Sequence, residues 1–156
     1  MDYPGPANRF QIEHARLLRQ SYRHLLGREL IPGAGSDEEF ARVLFHAPFA
    51  VLSHDTAADP MFNYGNRQAL SLFELSWEEL PGVPSRLSAE PVAQAERDRL
   101  LAEVRQKGYI DHYQGIRIAQ SSGKRFLIKN SVVWNLHDAE GRYRGQAACL
   151  REWEFL

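Results

Sequence analysis

An α+β fold, with helices gathered ahead of an antiparallel sheet, follows from three features of this sequence. Two stretches near the N-terminus repeat apolar residues every three or four positions. The last third alternates with a period of two between turn signals, and no strand–helix–strand rhythm suggests a parallel sheet. At 156 residues, 44% of them hydrophobic and 25% charged, the chain is one domain able to bury a core.

Residues 1–7 are rich in proline and glycine and should fray. From Asn8, a capping residue type, Ala15, Leu18, Tyr22, Leu25 and Leu26 form an apolar helical stripe that Gly27 ends. Ser36-Asp37-Glu38-Glu39 is a capping box, opening a helix with Phe40, Val43 and Leu44 on its apolar side and Pro48 as its stop. A compact apolar strand follows at 48–53. A second strand at 61–65 places Phe62 and Tyr64 on one face by simple alternation. Asn66 caps a helix over 67–74, and Ser76-Trp77-Glu78-Glu79 starts another that Pro81-Gly82 must cut short.

Pro91 suits the first turn of a longer helix ending near Gly108, with Leu100, Leu101 and Val104 buried. Three strands complete the chain. Tyr109–Ala119 sets Ile116 and Ile118 against Arg117, which is expected on the solvated face. After a hairpin turn at Ser121–Lys124, 125–136 places Phe126, Ile128, Val132 and Trp134 on the core face. A last turn at His137–Gly141 leads to a strand over 145–153.

Composition also narrows function. A formal net charge of −1 gives no global basic field for phosphate backbones, so direct nucleic-acid binding is not expected. No apolar run approaches the ~20 residues that cross a bilayer, and the first residues lack a signal pattern. A cytoplasmic protein with no membrane partner is the expectation. A single cysteine, Cys149, excludes an intrachain disulfide and a multi-cysteine metal site.

The run Phe62-Asn63-Tyr64-Gly65-Asn66-Arg67-Gln68-Ala69-Leu70, followed by Ser76-Trp77-Glu78-Glu79-Leu80-Pro81-Gly82, resembles the signature of PAS-type domains. More narrowly, four segments resemble the MEKHLA domain: 84–91, 108–118, Val133-Trp134-Asn135-Leu136 and Gly145-Gln146-Ala147-Ala148. This PAS-like family occurs as free-standing bacterial proteins and at the C-terminus of plant homeodomain–leucine-zipper regulators. The free-standing bacterial type is the expectation here. The resemblance covers roughly residue 10 to the end. It implies a curved antiparallel sheet with short helices and one longer helix on one side, preceded by N-terminal helices. It divides the chain into a helical extension, 1–47, and a PAS-like domain, 48–156, within one compact unit. It also implies a sensory or regulatory role without catalytic residues.

Such domains often hold haem, flavin or a metabolite. A haem ligand is expected in or near the long helix, but 91–107 contains no histidine and His112 lies on the next strand. Photoactive flavin domains of this type use a cysteine ahead of the long helix, whereas Cys149 lies on the last strand. A flavin held without a covalent bond stays open. No histidine pair has zinc spacing, so neither metal nor redox cofactor is expected. The candidate ligand-pocket residues are Phe62, Tyr64, Phe73, Trp77, Arg86, Tyr113, Ile116, Ile128 and Trp134, suited to a small apolar or aromatic molecule. Arg86 suits a structural ion pair as well as an anion.

The leading functional expectation is a non-catalytic sensory module binding that ligand, a protein partner or both. The alternative is a cone-shaped α+β enzyme like ketosteroid isomerase or a dehydratase, which needs a desolvated acid–base residue in its pocket. The N-terminal stripe has little sheet left to cover, so a homodimer through that helix is expected, the alternative being a monomer in which the helix folds back over the outer face of the sheet.

Overall fold

The computed structural model describes residues 1–156, with the side chain of Val92 left out of the description. Four α-helices, α1 (Ile12–Leu26), α2 (Asp37–His46), α3 (Arg67–Phe73) and α4 (Gln94–Lys107), accompany six strands. These are β1 (Ala50–His54), β2 (Phe62–Gly65), β3 (Tyr109–Ile118), β4 (Arg125–His137), β5 (Tyr143–Leu150) and β6 (Glu152–Phe155). The sheet is antiparallel in the order β2-β1-β5-β4-β3. The long β4 pairs with β6 over Phe126–Lys129 and with β5 over Val132–His137. The expected last strand is thus two pieces, broken at Arg151.

The local signals act largely as expected. Ser36 Oγ accepts from the Glu39 backbone N–H at 3.2 Å to start α2. Gly27 ends α1 with φ +69°, a left-handed conformation glycine adopts without strain. Ser76 and Glu79 exchange capping hydrogen bonds of 3.3 Å, but only a turn and a 3₁₀ segment, Leu80–Gly82, follow. Asn8 closes a short 3₁₀ turn, Pro6–Asn8, and α1 begins only at Ile12.

Asn66 does more than cap α3. Fully buried, it accepts from Ala69 N and Val51 N at 3.0 Å and donates to the Leu44 and Phe49 carbonyls at 2.9 and 2.8 Å. One side chain therefore ties α2, β1 and α3 together, with each of its polar atoms doubly satisfied.

Two irregularities overturn the simple alternation. In β2, Tyr64 pairs with Ser53 but Phe62 pairs with His54, so Asn63 is an extra residue opposite one step of β1. Phe62 and Tyr64 consequently lie on opposite faces. In β4, Asn130 has φ +50°, and the pairing jumps from Gly115↔Ile128 to Tyr113↔Ser131. Phe126 and Ile128 face one side, whereas Val132, Trp134 and Leu136 face the other. The expected single core face of β4 is two half-faces joined at a bulge.

Arg117 is the third correction. It pairs with Phe126, which is fully buried on the inner face, so the arginine is carried inward and is only 9% exposed. Ile116, paired with Leu127, turns to the outer face instead.

Helix α1 covers the outer face. The Tyr22 ring meets Trp134 edge-on at 5.0 Å, and His14 stacks on Tyr64 at 5.2 Å. His14 Nε2 lies 2.8 Å from Ser53 Oγ, and Ser21 Oγ accepts from His137 N at 3.0 Å. Ala15, Leu18 and Tyr22 are buried. The stripe assigned to a dimer interface is therefore occupied by the chain's own sheet: the helix folds back and caps the outer face, as in the alternative to pairing. One hydrophobic cluster takes in Leu18 and Phe40 from before residue 48 together with Tyr64 and Trp134 from after it.

Candidate functional site

The inner face of the sheet is roofed by α4 and by the 3₁₀ segment Ser85–Ser88, and the space between them is a small cup. Leu52 and His54 come from β1, Phe62 from β2, and Ile128 and Val133 from β4. Gln146, Ala148 and Leu150 come from β5, because residues two apart on a strand share a face. Phe73 closes the α3 end, and Leu100 and Leu101 descend from α4. The cavity volume is about 70 Å³, room for about two water molecules.

Two arginines stand in this otherwise apolar wall. Arg97 reaches in from α4 and Arg117 from β3, and they are only 7% and 9% exposed. Arg97 donates to Ser85 Oγ. Arg117 donates to the Ile116 carbonyl at 2.8 Å and to the Tyr113 hydroxyl at 3.2 Å, with its guanidinium 5.5 Å from the Tyr113 ring centre. Among the described residues Arg117 has no ion pair. Arg97 has one distant approach, 3.9 Å to the largely exposed Asp98. Burial, and then the neighbouring Arg117 charge, push the Arg97 pKa down.

The other polar groups are neutral. Gln146 Nε2 donates to the Leu101 carbonyl at 3.0 Å and to Asn135 Oδ1 at 3.1 Å, while Asn135 donates to the Val104 carbonyl at 2.9 Å. These bonds pin α4 to the sheet. His54 Nδ1 lies 3.0 Å from the Asp55 carbonyl, and burial holds its pKa below the usual histidine value. No group of three or more potential metal ligands occurs among the described residues.

Of the residues singled out from sequence, Phe62, Phe73, Tyr113 and Ile128 line this cup. Tyr64 and Trp134 lie across the sheet under α1, moved there by the two bulges. Ile116 also faces outward. Trp77 packs edge-on to Tyr64 at 5.7 Å and donates its indole N–H to the Met1 carbonyl at 2.9 Å. Arg86 is half exposed and paired with Asp59 at 3.2 Å, the structural use of that side chain. Arg97 was not recognised. Its signal was present nonetheless, since Arg97, Leu100 and Val104 occupy i, i+3 and i+7 of one helical stripe.

Solved structures share this architecture. The PAS domain of a Colwellia psychrerythraea protein superposes with a TM-score of 0.62 at 15% identity, covering 72% of this chain and 92% of that one. An RNA-binding light-oxygen-voltage receptor gives 0.60 at 17% identity, over 79% of this chain and 34% of the receptor. The light-state dimer of the fungal photoreceptor Vivid gives 0.54 at 15%, over 68% and 78%. The fold is therefore PAS-like α+β.

A light-oxygen-voltage domain studied with a flavin analogue is another such neighbour, and a flavin can be tested against these residues. Cys149 pairs with Val51 and Val132 on the outer face, away from the cup, and burial raises its thiol pKa to about 11. The cavity is also well below the ~300–1,000 Å³ typical of sites for ligands of drug size. These residues do not fit a flavin bonded through a thiol.

Among curated proteins, homeobox-leucine zipper protein HOX10 of rice (Oryza sativa subsp. indica) is 24% identical over 144 residues, covering 91% of this chain. REVOLUTA of Arabidopsis thaliana is 23% identical over 158 residues, covering 97%. The chain spans only 17% and 19% of the lengths of these two relatives. Both are homeobox-leucine zipper proteins of plants, so the expectation of a free-standing bacterial type draws no support from them. The sequence profile of the MEKHLA domain matches residues 12–155, nearly the whole length, and the chain belongs to the MEKHLA domain family.

Proposed function

We propose that this chain is a non-catalytic sensory or regulatory module that takes a small molecule into the cup between its sheet and α4. The observation that carries this reading is the cavity itself, lined mostly by apolar side chains and furnished with two buried guanidiniums. A route outward supports it. Strand β1 presents Leu52 and His54 to the cup and Val51 and Ser53 to the opposite face, where Ser53 meets His14 of α1. A shift of β1 on binding would therefore reach α1 across one thickness of sheet.

The enzyme alternative has less behind it. A cone-shaped isomerase or dehydratase needs a desolvated base, and no carboxylate lines the cup among the described residues. His54 does line it, with its Nδ1 engaged by a backbone carbonyl. Self-association, as in the Vivid dimer, would need a surface other than the Ala15–Leu18–Tyr22 stripe.

Native mass spectrometry of freshly purified protein tests the reading. A small molecule retained in the native spectrum and lost on denaturation is the expected result. A protein of bare sequence mass whose thermal midpoint no member of a metabolite library raises would overturn it.

A further inference from the structure

We infer that the cup selects a short-chain carboxylate, held between Arg97 of α4 and Arg117 of β3. This deepens the ligand-module reading and rests on it. Guanidinium groups stay protonated in proteins, so two positive charges line a cup that no carboxylate enters among the described residues. Asp98 approaches Arg97 only at 3.9 Å, and Glu96 meets Arg117 only through the Tyr113 hydroxyl, which donates to it at 3.2 Å. Burying like charges with such remote counter-charges is costly, and a bound anion offsets both the desolvation and the repulsion. Donor accounting agrees. Each guanidinium has five N–H donors, of which Arg97 uses one and Arg117 two within the chain. The remaining donors suit the two oxygens of a carboxylate, each able to accept more than one hydrogen bond.

The rest of the wall sets the other half of the ligand. Leu52, Phe62, Leu100, Ile128 and Val133 present only carbon to the cavity. An inorganic anion would satisfy the arginines but leave this surface against water, whereas a short aliphatic tail covers it. The volume of about 70 Å³ is under half of the ~150 Å³ that holds a benzene, so the tail is short, one or two carbons beyond the carboxylate. Since one arginine stands on the roof and the other on the floor, the carboxylate would also fasten α4 to the sheet. It would add to the Asn135 and Gln146 amides, the Tyr113–Glu96 hydrogen bond and the packing of Leu100 and Val104 on Val133, which already join roof and sheet.

Calorimetric titration and thermal denaturation at fixed ionic strength, with acetate, propionate, butyrate, pyruvate and lactate as probes, test the assignment. Butyramide serves as a neutral analogue and inorganic phosphate as a tail-less anion. At least one carboxylate should raise the midpoint while butyramide does not. Arg97→Gln and Arg117→Gln should each weaken its binding at least tenfold, with Arg117→Lys intermediate and near-wild-type circular dichroism as the control for folding. Amides of α4 should exchange more slowly with the carboxylate bound. Equal binding of butyramide would overturn the charge selection, and equal binding of phosphate would overturn the tail. Failure of every carboxylate would overturn the inference outright. The ligand-module reading would still be judged separately, by the retained mass of the native protein.

Discussion

Gly145, paired with Leu136 near the start of β5, passes so close to β1 that an added Cβ would collide with the His54 carbonyl oxygen. Its φ of +118° is also a conformation that other residues adopt only under strain. Gly145→Ala should therefore lower stability by more than about 3 kcal/mol, read as a fall in the urea midpoint. His14 gives a residue-scale effect of a different kind. Burial, and secondarily Arg144, lower its pKa from 6.5 to about 4. Between those values the unfolded chain takes up a proton that the folded one refuses, so stability is complete above pH 6.5 and declines as pH falls toward 4. His14→Gln should remove on the order of 2 kcal/mol of that decline, leaving the part due to His54, whose pKa is lowered in the same direction. Equal pH profiles for variant and parent between pH 4 and 6.5 would contradict this.

Elements show which parts of the fold a sequence can convey. Caps, stops and the positions of the strands along the chain were legible because Ser36, Asn66, Gly27 and the turn residues act locally, through bonds to groups a few positions away. The faces of β2 and β4 were not, because one inserted residue reverses every later side chain and nothing in Asn63 or Asn130 announces the insertion. The inward turn of Arg117 was hidden for a related reason: it follows from pairing with Phe126, a partner in another strand. Four of the nine singled-out residues nevertheless line the cup, since Phe62, Phe73, Tyr113 and Ile128 lie outside the reversed portions. Trp134 remains a core residue, but against α1. Trp134→Ala should destabilise by about 3–5 kcal/mol, and a denaturation midpoint near the parent's would show that α1 does not seal this face.

For the whole molecule, the strand order matters more than any single contact. β1 sits between β2, which follows it closely, and β5, which lies some 90 residues further along. α1 rests on β4 through Trp134 and on β1 and β2 through Ser53 and Tyr64. A chain shortened to begin at Ser36 would uncover Tyr64, Trp134 and Leu136. It should associate or lose its cooperative transition, while the full chain sediments as a monomer at micromolar concentration; a monomeric, cooperatively folding truncation would contradict this.

The same arrangement fixes an order of events during synthesis. As the chain leaves the ribosome, α1 emerges ahead of the sheet that it covers, and the strand that carries Trp134 is made about a hundred residues later. β1 likewise waits for β5 before its second edge is paired. Pairings this distant in sequence make folding slow and keep apolar surface uncovered meanwhile. The Ala15–Leu18–Tyr22 stripe, sealed in the finished protein, is thus open to other chains or to chaperones while the molecule is being made.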